Sequence, residues 1–347
     1  MTTSLEHPSG LTLELTGRCT RNCRYCYNAW RSPGGPPLPR ELPVSELLAL
    51  VLPMVRATGR RRVDLTGGEP LLRDDLPDLI QGLRLQGLGV ALTTDGGLVD
   101  AFMAQVLARM QVSPVQVTLL AADRGLHDEL KGSPGAFDQT VEGIAQLTSA
   151  GVPVSIAFVH MRPNADRLGE VAELAFALGA RSLAFDRLCV TGQAARRAQE
   201  LVPEAWQTRE ALRELDEIPK QWHGLRTYRA MSVPQCLEPD GSSQGAPGQH
   251  GGCAASGPTP AFCVGSDGRV RSCAAMSDTL GDLKHEAWPT IEQRWQQTRL
   301  QAPVATSGGC AQCGDLEACR MGCRASAGAN GVDRLVGMAP RGRLAVS

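Results

Sequence analysis

Cys19, Cys23 and Cys26 fall within eight residues, with gaps of three and two, directly after the strand-like run Leu11–Leu15. Cysteine thiolates are the usual ligands of an iron–sulfur cubane, which has four irons. Three local thiolates therefore leave one iron without a protein ligand, and an open iron can chelate a small molecule. The triad reads as catalytic rather than only electron-carrying. A zinc knuckle or a disulfide pair is the competing reading, but no matching Cys/His pair sits at zinc spacing nearby.

A second group of cysteines lies late in the chain. Cys253-x14-Gly268-x4-Cys273 is followed by Cys310-x2-Cys313-x5-Cys319-x3-Cys323. Cys263–Cys273 reads as a short hairpin around Ser266-Asp267-Gly268, a good turn sequence that brings thiols from its two arms together. A zinc ribbon built from the two groups is the alternative. Cys189, after a candidate strand, is either a hydrogen-atom donor or a small buried apolar group, and the second reading is preferred. His160 is read as structural.

Composition narrows the classes of function. The 347 residues suffice for one large or two ordinary domains. A net charge of −1 gives no electrostatic footprint for nucleic acid or an anionic membrane. No run of 18 apolar residues predicts a membrane span, and the polar first residues lack a secretory h-region. Twelve cysteines without such a signal point to a reducing cytoplasm and to metal clusters.

The elements that must position these thiols alternate regularly. Candidate strands are Leu11–Leu15, Arg62–Leu65, Val90–Thr94, Val115–Leu119, Val152–Val159 and Ser182–Leu188. Candidate helices begin near Val44, Asp75, Leu98, Phe137, Ala165 and Pro203. Six strand–helix units imply a parallel sheet with right-handed crossovers. From Val233 to Pro260 the composition shifts to Gly, Ser, Pro and Gln, as in a linker and entry loop.

The triad spacing, followed by Gly67-Gly68-Glu69-Pro70, closely resembles the radical S-adenosylmethionine (SAM) superfamily. That resemblance implies an α/β fold, a partial (βα)6 TIM-like barrel, with reactive groups at the carboxyl ends of the strands. It implies a [4Fe–4S] cluster on Cys19, Cys23 and Cys26 whose open iron binds SAM. Tyr25 would pack the adenine, Gly67–Pro70 would hold the methionine amino group with Glu69 as the foremost contact, and Thr118 would offer a hydroxyl to the ribose. Thr93-Thr94-Asp95-Gly96 stands where many members have Thr-Asn-Gly, leaving Asp95 as either a site residue or a plain turn residue. The run Asp186–Ala194 resembles the exit of the family's sixth strand, where Gly192 allows close backbone approach.

The late cysteines resemble the SPASM extension of that superfamily, which carries one or two auxiliary [4Fe–4S] clusters. By that analogy Cys253, Cys273 and Cys323 hold auxiliary cluster I, and Cys310, Cys313 and Cys319 hold cluster II. No cysteine follows Cys323, so Cys236, Cys263 or an oxygen ligand such as Asp333 is left to complete the sets. Cys263 is the expected closure of cluster I. The expected domains are a barrel over residues 1–230 and a SPASM-like domain over 231–347.

The implied activity is that of a cytoplasmic radical SAM oxidoreductase. It would cleave SAM reductively to a 5′-deoxyadenosyl radical and abstract hydrogen from a ribosomally made peptide, as a maturase. The alternative substrate is a small molecule, an aminosugar or a heme precursor. Only 18 residues precede Cys19, too few for a leader-binding domain. The expected partners are therefore a separate leader-binding protein and a reductant such as flavodoxin or ferredoxin.

Overall fold

The computed structural model of the chain describes residues 11–239, 253, 261–300, 310, 319, 322–327 and 333–335. Strands β1 (Leu11–Glu14), β2 (Arg62–Thr66), β3 (Gly89–Thr94), β4 (Val115–Thr118), β5 (Val154–His160), β6 (Ser182–Arg187) and β7 (Arg226–Arg229) lie side by side in chain order, all parallel. Parallel neighbours need crossover connections, and helices supply them here. These are α1 (Val44–Thr58), α2 (Leu76–Leu85), α3 (Ala101–Arg109), α4 (Arg124–Lys131), α5 (Ala136–Ser149), α6 (Leu168–Ala177), α7 (Gly192–Arg196), α8 (Ala198–Leu201) and α9 (Ala205–Gln221). The six expected strands match β1–β6.

Of the elements that were not expected, two have identifiable reasons. The β7 sequence Arg-Thr-Tyr-Arg has no apolar run, because it closes an edge of the sheet. Helix α4 reads Arg-Gly-Leu-His-Asp-Glu-Leu-Lys and is set by its ends. The Asp123 side chain accepts from Leu126 N at 2.7 Å, and Gly132 ends the helix at φ +58°.

The expected hairpin forms, and it joins the barrel. Strands β8 (Phe262–Val264) and β9 (Arg269–Arg271) are antiparallel, and β10 (Thr279–Asp282) follows β9. Strand β8 pairs in parallel with β1, with Thr12 opposite Cys263. Among the described residues one sheet therefore runs β10-β9-β8-β1-β2-β3-β4-β5-β6-β7. Phe262 sets its ring 4.8 Å from Trp288 and 5.5 Å from Trp295 of α10 (Trp288–Leu300), which covers that end of the sheet. The expected domain boundary near residue 230 follows the end of β7, and the chain re-enters the same sheet beside β1.

Strand alternation separates two chemistries. Val63 and Leu65, like Val115 and Val117, are fully buried in the apolar core under the helices. The intervening Arg62, Asp64, Thr66, Gln116 and Thr118 line a cavity inside the curve of the sheet. A period of two places one set on each face.

Candidate active site

The loop after β1 carries the triad, and it is clamped from several sides. Asn22 N donates to Lys131 O at 3.2 Å and Arg24 N to Leu130 O at 2.9 Å, which ties the loop to the carboxyl end of α4. Arg21 forms a buried ion pair with Asp95, at 3.1 Å, beyond β3. Gln193 N donates to Cys26 O at 2.8 Å, and Thr191 Oγ1 donates to Tyr27 O at 3.1 Å. Gly192 has φ +55°, and a Cβ there would stand 2.5 Å from Tyr27 O. The close approach foreseen for this glycine is therefore real, and Asp95 acts as a clamp on the cysteine loop.

Cys19, Cys23 and Cys26 line a cavity of about 440 Å³, together with Tyr25, Gly67, Gly68 and Thr118. Burial pushes all three thiols up, Cys26 to about 12. The positive charge of Arg31 partly offsets this at each, and Lys131 does so at Cys23. Among the described residues no three His, Cys, Asp or Glu side chains converge on a point that a single ion would fill. A cluster that places each thiolate on its own iron asks for a wider spacing. The donor set fits a cubane: three thiols facing one cavity, nearby cations, and a wall without side chains.

That bare wall is the Gly67-Gly68 turn. Gly67 has φ +137°, and a Cβ on Gly68 would lie 1.9 Å from Arg18 O, so both positions require glycine. Glu69 and Pro70 do not line the cavity. The Glu69 carboxylate is buried and accepts from Leu71 N at 3.1 Å, Thr94 Oγ1 at 2.8 Å and Asp95 N at 2.9 Å. Burial raises its pKa to about 7, with the Asp95 charge adding to the shift. The Glu69 oxygens fix the turn that presents the glycines.

The floor of the cavity was missed by sequence reasoning. Asp186, Tyr228, Gln116 and the Arg62–Asp64 ion pair, at 3.2 Å, all line it. Burial alone pushes Asp186 up to about 7. The available signal was the polar set at alternate positions of otherwise apolar strands. His160 is buried beside Phe185, held near pKa 3 by burial, and is outside the cavity lining.

The late cysteines sort into two neighbourhoods. Cys323 shares a hydrogen bond with Cys189, and Cys273 lies within electrostatic reach of Cys323 and Cys253. Cys236 lies near Cys319 and Cys310, and Gln235 N donates to Cys319 Sγ at 3.4 Å. Cys263 instead meets Glu14 and Arg271, whose Nη2 donates to its sulfur at 3.4 Å. Asp333 is fully buried and accepts from Arg187, Cys323 N and Leu335 N, so both of its oxygens are engaged. Cys313, the Gly337–Gly342 tail and most of the entry loop lie outside the described residues.

The Radical SAM superfamily profile matches residues 13–175. Residues 13–175 are a radical SAM superfamily domain. It is 29% identical over 330 residues to mycofactocin maturase MftC of Mycolicibacterium smegmatis, covering 93% of this chain and 79% of that one. It is 34% identical over 210 residues to PqqA peptide cyclase of Streptomyces rochei, covering 59% and 56%. An AdoMet-dependent heme synthase of Methanosarcina barkeri is 28% identical over 334 residues, covering 92% of each. The fold is similar to that of Streptococcus suis SuiB bound to precursor peptide SuiA, with a TM-score of 0.70 at 15% identity over 92% of this chain and 72% of that one. A radical SAM enzyme uses a [4Fe–4S] cluster and SAM, and the cavity places its cysteine triad and glycine turn together. Among the described residues no helix is long and apolar enough to cross a membrane.

Proposed function

We propose that this chain is a radical SAM maturase of a ribosomally made peptide. The observation that carries the reading is one cavity that joins the cysteine triad, the Gly67-Gly68 turn and the polar floor around Asp186. Bound there, a [4Fe–4S] cluster and SAM would supply the 5′-deoxyadenosyl radical that abstracts a substrate hydrogen. Cys19, Cys23 and Cys26 would hold the cluster, Tyr25 and Thr118 would flank SAM, and the backbone of Gly67 and Gly68 would approach its methionine end. Glu69 and Pro70 shape that turn from behind. The peptide assignment is supported by the similarity to PqqA peptide cyclase.

Auxiliary clusters are the second part of the proposal. Cys253, Cys273 and Cys323 would hold one, and Cys310, Cys313 and Cys319 the other, with Cys236 beside Cys310 and Cys319 as its fourth thiolate. The barrel, residues 1–230, and the SPASM-like segment, 231–347, would share the sheet through the β8–β1 pairing. A separate leader-binding protein would present the peptide, and flavodoxin or ferredoxin would supply electrons in the cytoplasm.

Similarity to a heme synthase over 92% of both chains favours a second reading, a heme-precursor substrate. The test is substrate-dependent release of 5′-deoxyadenosine by the anaerobically reconstituted enzyme. Short peptides encoded beside its gene, with any leader-binding protein found there, should raise release several-fold and change peptide mass. Stimulation by a porphyrin precursor, with none by any peptide, would overturn the peptide reading.

A further inference from the structure

We propose that Cys189, at the exit of β6, is the fourth thiolate of the auxiliary cluster held by Cys253, Cys273 and Cys323. The assignment rests on the reading above that those three thiols bind a cluster. Cys189 and Cys323 share a hydrogen bond between their side chains, and Cys189 lies within electrostatic reach of Cys273. Cys273 in turn neighbours Cys253 and Cys323. Four thiols thus form one chain of neighbours, three on the late segments and one on the barrel.

The meeting is fixed by the residues on either side of Cys189. Arg187 forms a fully buried ion pair with Asp333, and Asp333 Oδ2 accepts from Cys323 N at 2.7 Å. Val190 N donates to Ser326 Oγ at 2.9 Å, and Ser326 Oγ lies 3.7 Å from Cys189 Sγ. The segment carrying Cys323 is therefore bonded to the β6 exit both before and after Cys189. A free buried cysteine normally behaves as a small apolar group. This one has thiols, Ser326 and Thr191 around its sulfur, the last at 3.8 Å.

Cys263 is also within electrostatic reach of Cys273, but its sulfur has other partners. Arg271 places its guanidinium on that sulfur and pairs with Glu14, so the thiol belongs to an ionic cluster between β1, β8 and β9. Cys189 also lines the reaction cavity, as does Ala274, next to Cys273. Four thiolates leave that cluster no open iron. It would stand in the cavity wall as an electron carrier, not as a site where substrate binds iron.

Iron coordination tests this without reference to turnover. In a chain with Cys19, Cys23 and Cys26 changed to Ala, about eight irons should bind, all in four-thiolate sites by Mössbauer spectroscopy. Adding Cys189→Ser should drop the count toward about four, or create one distinct iron site. Adding Cys263→Ser should leave the spectrum unchanged. A Cys189→Ser spectrum identical to the parent's, or loss of a cluster with Cys263→Ser alone, would overturn the assignment. Selenocysteine in place of Cys189 is nearly isosteric and guards against misfolding. Its selenium K-edge scattering should show an iron neighbour, and a carbon-only first shell would also overturn the assignment. About four irons in the parent would sink the two-cluster reading, while the selenium edge still decides the ligand.

Discussion

Asp186 shows what a single residue in the cavity costs and what it can do. Its carboxyl titrates near 7 because burial disfavours the charged form. An acid whose pKa is raised on folding contributes stability below its unfolded value and loses it as pH rises. The window here runs from about 4, the usual aspartate value, to about 7. Stability measured by denaturant at each pH should fall across that window in the parent. Asp186→Asn should flatten the fall and be more stable at pH 8 by up to about 4 kcal/mol, at about 1.4 kcal/mol per unit. Equal pH profiles for both chains would show that cavity water already solvates the carboxylate. Glu69 illustrates the opposite use of a buried carboxylate. Its two oxygens take two backbone N–H groups and a hydroxyl, so its charge holds a turn in shape.

At the scale of elements, the β6 exit and the Cys323 segment are joined by a buried ion pair, Arg187–Asp333. Removing one partner of such a pair leaves an uncompensated charge, which typically costs about 3–5 kcal/mol. Asp333→Ala should lose about that much unfolding free energy in anaerobic denaturant titrations. The double change Arg187→Met with Asp333→Leu should recover most of it, because no charge is then stranded. A single variant within about 1 kcal/mol of the parent would mean that the pair is effectively solvated. The sequence showed the strands on either side of this joint but not the joint itself. Apolar alternation marks β1–β6, and turn chemistry marks the β8–β9 hairpin. Arg187 and Cys189 are distant in the chain from Ser326 and Asp333, and no local pattern announces that they meet. The polar β7 and the cap-defined α4 were hidden for the complementary reason, since β7 has no apolar run and α4 offers only Leu126 and Leu130.

At the scale of the whole molecule, among the described residues, the parallel barrel lines the cavity together with Ala274, just beyond the antiparallel hairpin. Pairing of β8 with β1 carries the hairpin into the barrel sheet beside the strand that feeds the triad loop. The triad and the Gly67-Gly68 turn were legible because their spacing is local and demanding. The clamps on the triad loop were not, because Asp95, Lys131, Thr191 and Gln193 reach it from three other connections. In the proposed function this assembly generates a radical from SAM at Cys19, Cys23 and Cys26. Its most direct test is 5′-deoxyadenosine released from SAM and a low-potential reductant by anaerobically reconstituted protein, compared with the chain in which all three cysteines are Ala. Release is expected from the parent and none above the reductant-only background from the triple variant, with the fold intact by circular dichroism. Release from the triple variant at the parent's rate would contradict it.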